Sequence, residues 1–495
     1  MTRRALLLLL AVLPAPLFAQ SPVPGGILVV QAPAEPPGLD LTASPASAIA
    51  GIIHQNVQEG LLRIDRTGRL APLLAERWSV SPNGLTYTFL LKRSIRFHSG
   101  RELTANDVKL ALERAMNPET NHPHREQYEA IASIETRNQS TVSITLSRPS
   151  SSFLLTLARQ GSVIYPREAV VQQKSWPIGT GPFRFKEWVR GDRIVIEKNP
   201  SYHIRGLPYL DRIVFRFLPD PNVTLAALKA GDIDVIGFGV PPEAVAGLKR
   251  DPNLQVIEGH TTIDVILAMN NSRPPFTQPL VRRALTHAID KAEVVQGAMF
   301  GFGLPIGSHM DPLNPYFTDL SKEVPYNPQK ARQLLSQVGY GKGFDVTLKV
   351  TPAYPYTVRA GEVVANQLAR VGVRARIELI EWAQWLDRVY TRADYDLTII
   401  GHAEAWDIVN YAKPSYYLRY DSPRFQKVYR EAETTTDEGR RRELYVELQR
   451  ILVDEAPAIF LFNHPRLAAA KKGIHGLWRD LPTVAGELPE VWRSR

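Results

Sequence analysis

Helix and strand patterns alternate between residues 361 and 400, and this alternation restricts the fold more than any other feature of the sequence. A helical segment over 361–370 leads to the alternating strand Val373–Ile380, and a second helix over Trp382–Tyr390 leads to the apolar strand Asp396–Ile400. Strands that are joined through helices usually lie parallel in one sheet. The segment therefore predicts an α/β protein with a mainly parallel sheet. The side chains of the first strand that are expected to face inward are Val373, Ala375, Ile377 and Leu379.

The same two periodicities continue along the rest of the chain. Alternating or buried apolar segments predict further strands at Leu28–Gln31, Thr86–Leu91, Thr141–Leu146, Arg212–Leu218, Asp232–Ile236 and Ile459–Phe462. Apolar residues at helical spacing predict helices at 105–116, 222–230, 279–289, 328–338 and 423–454. Thr104 and Asp107 form a capping box at the first of these helices. A length of 495 residues is typical of about three domain-sized units.

The N-terminus has the pattern of a secretory signal peptide over residues 1–19. Arg3 and Arg4 precede the apolar run Ala5–Leu13, which is too short to span a bilayer, and Ala19 stands at a suitable cleavage site before Gln20. The alternative is an uncut anchor helix, but the two prolines that follow the apolar run interrupt a helix there. We therefore expect an exported protein.

Composition narrows the location and the partners. The sequence has no cysteine, so it lacks both a disulfide framework and the residue that anchors a lipoprotein. An exported protein that is not lipid-anchored needs an enclosing compartment, which predicts a periplasmic protein. The formal charge of +9 becomes +9 − 2 = +7 without the two signal-peptide arginines, and the basic residues are scattered. This scattered pattern does not favour nucleic-acid binding. We further expect the protein to be a soluble monomer.

A series of segments, in order along the chain, resembles a known family. The segment GTGPF begins at Gly179, LAALKAGDIDV spans 225–235, and YDLTIIG spans 395–401. Together with the segments at 70–118, 179–220, 281–305 and 326–340, they resemble the peptide/nickel class of extracellular solute-binding proteins, which serve ABC-type importers. The resemblance extends over nearly the whole chain after residue 19, and it implies a small-molecule or short-peptide ligand, importer permease subunits as partners, and no cofactor.

The resemblance also implies a two-lobed α/β fold, the periplasmic binding protein fold, with a hinge and with one lobe enlarged by an extra subdomain. The lobes close over the ligand, and this closure is what the importer detects. The expected parts are a signal peptide at 1–19, lobe I at 20–54, 181–270 and 476–495, the extra subdomain at 55–180, and lobe II at 271–475. The GTGPF glycines are most simply explained by a tight turn.

The loop after the strand Asp396–Ile400 is the best candidate for ligand contact. Loops at the carboxyl ends of parallel strands face the crevice in which ligands bind. In peptide-binding members of the family an aspartate of this loop pairs with the α-amino group of the ligand, and Asp407 falls at the matching place. The family usually has Asp-Pro there, whereas Asp407 is followed by isoleucine. The other expected contacts in this loop are His402, Glu404, Trp406 and Tyr411.

The other end of the ligand is less well defined by the resemblance. Dipeptide binders place an arginine shortly before the helix that precedes the strand at 373–380, and Thr351 occupies that place here. Arg359 lies in the region but is shifted toward the helix, and Tyr354 and Tyr356 are further expected contacts. A dipeptide, a modified peptide or another amine-bearing solute therefore remains possible.

Other functions are less well supported by the residues. His402 and Glu404 alone are too few for a metal site, so we expect none, although a bound metal chelate stays an alternative. The sequence has no G-x-S-x-G, no H-E-x-x-H and no phosphate-binding loop motif, so we expect no enzyme activity. A ligand sensor or chemoreceptor partner on the same fold is the second alternative.

Overall fold

Two long antiparallel strands run through the centre of the molecule. The computed structural model describes residues 21–404, 406–483 and 486–494. The strands Leu254–Met269 and Ala458–Lys471 pair along most of their length, with an irregularity between His260 and Asp264. We call these the crossing strands, and we call the stretch around His260–Asp264 and its partner Asn463 the hinge. The predicted signal peptide lies outside the described residues.

The crossing strands join two halves of one mixed sheet, which has eleven strands within the described ranges. We call the half that contains Ile27–Ala32 the first lobe, and its strands in order are Phe183–Val189, Arg193–Lys198, Arg212–Phe217, Ile27–Ala32 and Val235–Ile236. We call the other half the second lobe, and its strands beyond the crossing pair are Leu397–His402, Phe344–Val350 and Val373–Leu379. The short strand Leu304–Pro305 pairs with the C-terminal crossing strand.

The prediction of a mainly parallel sheet is wrong. Among the paired strands of the described residues, parallel pairing occurs between Ile27–Ala32 and its two neighbours and between Phe344–Val350 and its two neighbours. The crossing strands are antiparallel to each other and to the strands beside them. The β-α-β pattern indicates only how neighbouring strands are connected. The chain passes through the hinge once in each direction, so the two crossing strands are antiparallel. Leu379, expected to face inward, is 58% exposed because its strand lies at the sheet edge.

Most helices lie where the sequence places them. The α-helices are Ser47–Ile53, Ala105–Met116, Phe153–Thr156, Pro221–Ala230, Val245–Arg250, Pro279–Ala288, Lys291–Met299, Pro328–Gln337, Pro355–Ala369, Trp382–Gln384, Pro423–Thr434 and Glu438–Glu455. The capping box of Thr104 and Asp107 is present. The helix expected over 382–390 is α-helical for one short turn and continues as a wider π-helix over Trp385–Thr391. The last predicted strand is part of a crossing strand and is much longer than expected.

Separate apolar cores hold the parts together. One core lies in the first lobe around Leu28 and Ile213, and another lies in the second lobe around Leu267 and Leu348. Residues between Leu61 and Ile164 form a further core under an antiparallel sheet of their own, built from Ala75–Val80, Thr86–Leu91, Thr141–Leu146 and Ile131–Asn138. Each core buries its own set of apolar side chains, which is typical of separate structural units.

The GTGPF turn is packed against the chain that leaves the helix Ser47–Ile53. A methyl group added to Gly179 would lie 2.2 Å from the carbonyl oxygen of Val57, so only glycine fits. The hydroxyl of Thr180 donates to the buried carboxylate of Glu59 at 2.7 Å. These contacts are those of the predicted structural turn. Among the described helices, none combines the length and apolar character needed to cross a membrane.

Candidate ligand site between the lobes

The predicted ligand loop leaves the sheet at the hinge. His402, the last residue of its strand, pairs in register with Asp264 of the first crossing strand, and Asp264 faces Asn463 of the second. The side-chain amide of Asn463 donates to two backbone carbonyls of the irregular stretch, at 2.8 and 3.2 Å. The loop is therefore positioned where the two lobes meet.

Asp407 is held in place by two side-chain donors. Its Oδ2 accepts a hydrogen bond from Nδ1 of His402 at 3.0 Å, and its Oδ1 accepts one from the amide of Asn410 at 3.1 Å. Burial disfavours the charged carboxylate, yet the hydrogen bond from His402 and the attraction of nearby charges, including Arg159, hold the pKa of Asp407 below its ordinary value. Asp407 is therefore an oriented anion, and its side chain keeps 12% of its exposure.

His402 continues this chain of hydrogen bonds into the second lobe. Its Nε2 lies 2.9 Å from the hydroxyl of Tyr417, and the two rings are nearly parallel at 12°. A neutral imidazole has one donor and one acceptor nitrogen. With Nδ1 donating to Asp407, Nε2 of a neutral ring would accept from Tyr417. This arrangement orients the carboxylate and leaves the negative charge on Asp407.

His309 lies against the other side of His402. The two rings meet edge to face with centroids 4.9 Å apart, and Nδ1 of His309 lies 2.9 Å from the hydroxyl of the fully buried Tyr411. Burial lowers the pKa of His309 to about 3, so its ring is neutral. Tyr411 thus packs within the second lobe. Trp406, with a φ of +69°, likewise packs there, against Tyr316 and Tyr445.

A pair of buried carboxyl groups lies behind this layer. Burial raises the pKa of Asp311 to about 7, and burial together with the charge of Asp311 raises the pKa of Asp264. One oxygen of Asp311 accepts the backbone N–H of Leu313 at 2.9 Å. The raised pKa values of Asp264 and Asp311 favour their protonated forms, whereas the lowered pKa of Asp407 favours its charged form.

A cavity lies between the lobes in front of the loop. It contains about 580 Å³ of empty space, a figure that includes the solvent at its open mouth. Both lobes and the hinge line it, and the polar contributors include His54, Arg159, Gln160, Thr262 and Glu404. Glu404 is the predicted site residue that borders this space. Arg159 lines the cavity, and its positive charge contributes to the lowered pKa of Asp407.

A set of hydrogen bonds also joins the second lobe to residues 150–152. The carboxylate of Glu433 in the second lobe accepts hydrogen bonds from the hydroxyls of Ser150, Ser151 and Ser152 at 2.6, 3.1 and 2.8 Å. The backbone N–H of Ser151 also donates to the Glu433 carbonyl at 2.8 Å. We call this set the serine–glutamate contact. It joins the segment that follows the separate antiparallel sheet to a helix of the opposite lobe.

Of the predicted contacts before residue 373, Tyr356 reaches the strand that leads to the loop, because its hydroxyl lies beside Gly401. Tyr354 is 38% exposed and meets the rings of Tyr356 and Trp382. Tyr356 packs on His464 with centroids 5.0 Å apart. Nε of Arg359 donates to the carbonyl of Ala298 at 2.8 Å, and the guanidinium lies over the ring of Phe300 and 3.9 Å from Glu243. The structure does not bring Arg359 to Asp407.

His309, His402 and Asp407 are the described residues that could together hold a metal ion. One ligating atom of each lies within 4.8 Å of the other two. Two imidazoles and one carboxylate suit a divalent transition metal. A metal bound there would replace the hydrogen bond between His402 and Asp407, on which the orientation of the carboxylate depends.

Sequence reasoning missed several members of this site. His309, Asp264 and Arg159 are distant in the chain from Asp407, and no motif marks them. Their nearness follows from the crossing strands and from the approach of the two lobes. The one local signal in the sequence was that His402 could pair with Asp407, five residues later in the same loop.

Comparison with known proteins gives the family. The model of bacterial extracellular solute-binding proteins, family 5, middle region, matches residues 69–423. The chain belongs to this family. It is 29% identical over 450 residues to the glutathione-binding protein GsiB of Salmonella typhimurium strain LT2, covering 86% of this chain and 87% of the relative.

Solved structures agree with the family in fold. The chain superposes with a TM-score of 0.79 on AgaA from A. tumefaciens R10 in complex with agropinic acid, at 27% identity and over 95% of this chain and 99% of that one. It superposes with a TM-score of 0.81 on the periplasmic binding protein DppA of Helicobacter pylori in complex with the peptide STSA. The identity is 25%, and the match covers 96% of this chain and 99% of that one. The predicted two-lobed fold and the assignment to solute-binding proteins of ABC importers are confirmed.

Proposed function

We propose that this protein is the periplasmic component of an ABC importer that captures a peptide or a related amine-bearing small solute and delivers it to the membrane permease. The observation that carries the proposal is the oriented, ionised carboxylate of Asp407 at the hinge side of the cleft. The relatives bind glutathione, a peptide and agropinic acid, and this range supports a small polar ligand.

An ammonium group is the natural partner of this carboxylate. A carboxylate has about four acceptor positions, and Asp407 uses two of them for His402 and Asn410. The hydrogen bonds within the protein offset part of the cost of keeping the charge away from water. A ligand ammonium would then be held by a charge-assisted hydrogen bond in a poorly hydrated site. Glu404 at the cavity wall would add a second attractive charge.

Closure of the lobes would trap the ligand. We propose that the hinge around Asn463 bends, while the serine–glutamate contact joins the lobes at the rim. A ligand that touches both lobes favours the closed form because it binds that form more tightly. We propose that residues 55–180 form an extra subdomain and that residues 1–19 are an export signal. We also propose that the protein is a monomer, is not lipid-anchored and has no catalytic activity.

Two measurements test this function. The first is mass spectrometry of small molecules released from the purified protein by denaturation, followed by calorimetry with the identified amine-bearing compound. The second is small-angle X-ray scattering, in which saturating ligand should reduce the radius of gyration. Release of ligands without an amine, or scattering that stays unchanged at saturation, would contradict the proposal.

A metal chelate is the second candidate ligand, and the approach of His309, His402 and Asp407 favours it. The test is calorimetry with Ni²⁺ alone and with Ni²⁺ plus histidine. Binding that disappears in a His309→Phe variant would support this candidate. A role in sensing is distinguished by gene context, because neighbouring permease and ATPase genes indicate transport.

A further inference from the structure

Arg159 occupies the wall of the cavity that faces the ligand loop. It lies in a tight turn after the short helix Phe153–Thr156, where its N–H donates to the carbonyl of Thr156 at 3.2 Å and its carbonyl accepts from Ser162 at 3.0 Å. Its chain neighbours Ala158 and Gln160 line the same space. The backbone of this turn is therefore fixed, and the guanidinium belongs to a defined wall of the first lobe.

Arg159 gives this wall a permanent positive charge. It is the one arginine or lysine among the described residues that line the cavity, and an arginine stays charged at any pH at which a protein is folded. His54 lines the same space, but burial lowers its pKa to about 4 and leaves it neutral. Glu404 lines the same space, and the charge of Arg159 contributes to the lowered pKa of Asp407.

The second lobe lacks a comparable cation at the place where the family resemblance expects one. Thr351 is fully buried, and its carbonyl accepts from the hydroxyl of Thr357 at 2.9 Å. Arg359 is engaged by the carbonyl of Ala298 and lies near Glu243. A carboxylate on the ligand therefore has its complementary charge on the first lobe.

We propose that Arg159 binds a carboxylate of the ligand, so that the ligand is a zwitterion held between Asp407 of one lobe and Arg159 of the other. The proposal rests on the proposed function, since it assumes an amine at Asp407. A guanidinium binds a carboxylate through two parallel hydrogen bonds, which fixes its direction as well as its distance. Because the two charges belong to different lobes, a zwitterion satisfies both only when the lobes close, and this links recognition to closure.

The test is a competition experiment on the intact mature protein. The probes are glutathione and a set of di- and tripeptides, each offered in free, C-terminally amidated or esterified, and N-acetylated form. Native mass spectrometry measures which form is retained by the wild type and by the variants Arg159→Gln and Asp407→Asn. The control variant is Arg77→Gln, a 71% exposed arginine of the same lobe outside the cavity.

The wild type should retain free probes over amidated ones by about tenfold or more, the usual scale of a charge-assisted hydrogen bond. Arg159→Gln should lose this preference and keep the preference over N-acetylated probes, whereas Asp407→Asn should show the reverse. Arg77→Gln should match the wild type. A folded Arg159→Gln protein that still rejects amidated probes would overturn the role of Arg159 and leave the proposed function intact. A wild type that retains no amine-bearing probe would overturn the proposed function itself.

Discussion

The substitution Asp407→Asn removes one charge while keeping the size of the side chain. In the wild type, Oδ2 faces the N–H of His402 at 3.0 Å and Oδ1 faces the amide of Asn410 at 3.1 Å. An asparagine can accept from only one of these two donors, because its other terminal atom is itself a donor. We expect the variant to fold, because asparagine has the size of aspartate and Asp407 is not part of an apolar core.

The affinity falls because the ligand ammonium loses the charged carboxylate with which it pairs in the wild type. A hydrogen bond to a charged group contributes about 1.5–3 kcal/mol, and breaking a buried ion pair costs about 3–5 kcal/mol. For a side chain that keeps 12% of its exposure, we expect about 2–4 kcal/mol. This corresponds to a dissociation constant raised roughly 30- to 1000-fold.

Isothermal titration calorimetry measures this loss directly, with glutathione and short peptides as ligands. The matched control is Asp421→Asn, an exposed aspartate of the same lobe that accepts one hydrogen bond from Gln426 at 2.8 Å. Thermal unfolding of each variant verifies that the fold is kept. Equal affinity of Asp407→Asn and the wild type for an amine-bearing ligand would refute the assignment of Asp407.

Three further predictions concern closure and stability. Glu433→Ala removes the serine–glutamate contact, so scattering should show a larger radius of gyration and ligand affinity should fall several-fold. The control variant Glu431→Ala, on the same helix, should behave as the wild type. Burial raises the pKa of Asp311 to about 7, so the folded state keeps a proton that the unfolded chain loses near pH 4. The stabilising contribution of this proton is complete below about pH 4 and is lost as the pH rises through 7. Urea unfolding should therefore show Asp311→Asn to be more stable than the wild type by about 2–4 kcal/mol at pH 8. The difference should vanish near pH 4. Gly179→Ala places a methyl group 2.2 Å from a backbone carbonyl and should cost about 1–3 kcal/mol, seen as a lower Tm, whereas Gly51→Ala meets open space and should not.

The local elements of this protein could be predicted well because their signals are short-range. The helix Ala105–Met116 agrees with its predicted bounds, because its apolar spacing and capping box are contained in the segment itself. The sheet was predicted less well. The strand at Ile459–Phe462 is a small part of the crossing strand Ala458–Lys471, whose partner is about 200 residues away in the chain. A pattern read over ten residues contains no information on such a partner.

The sequence by itself determined the family, most of the helices and the place of the loop that follows the strand ending at His402, where we propose that the ligand binds. Only the tertiary structure decided what surrounds Asp407. His309, Asp264 and Arg159 reach it from distant parts of the chain, through the crossing strands and across the cleft. The physical reason is that the charge of a carboxyl group depends on its burial and on its neighbours, and both are set by packing rather than by sequence distance.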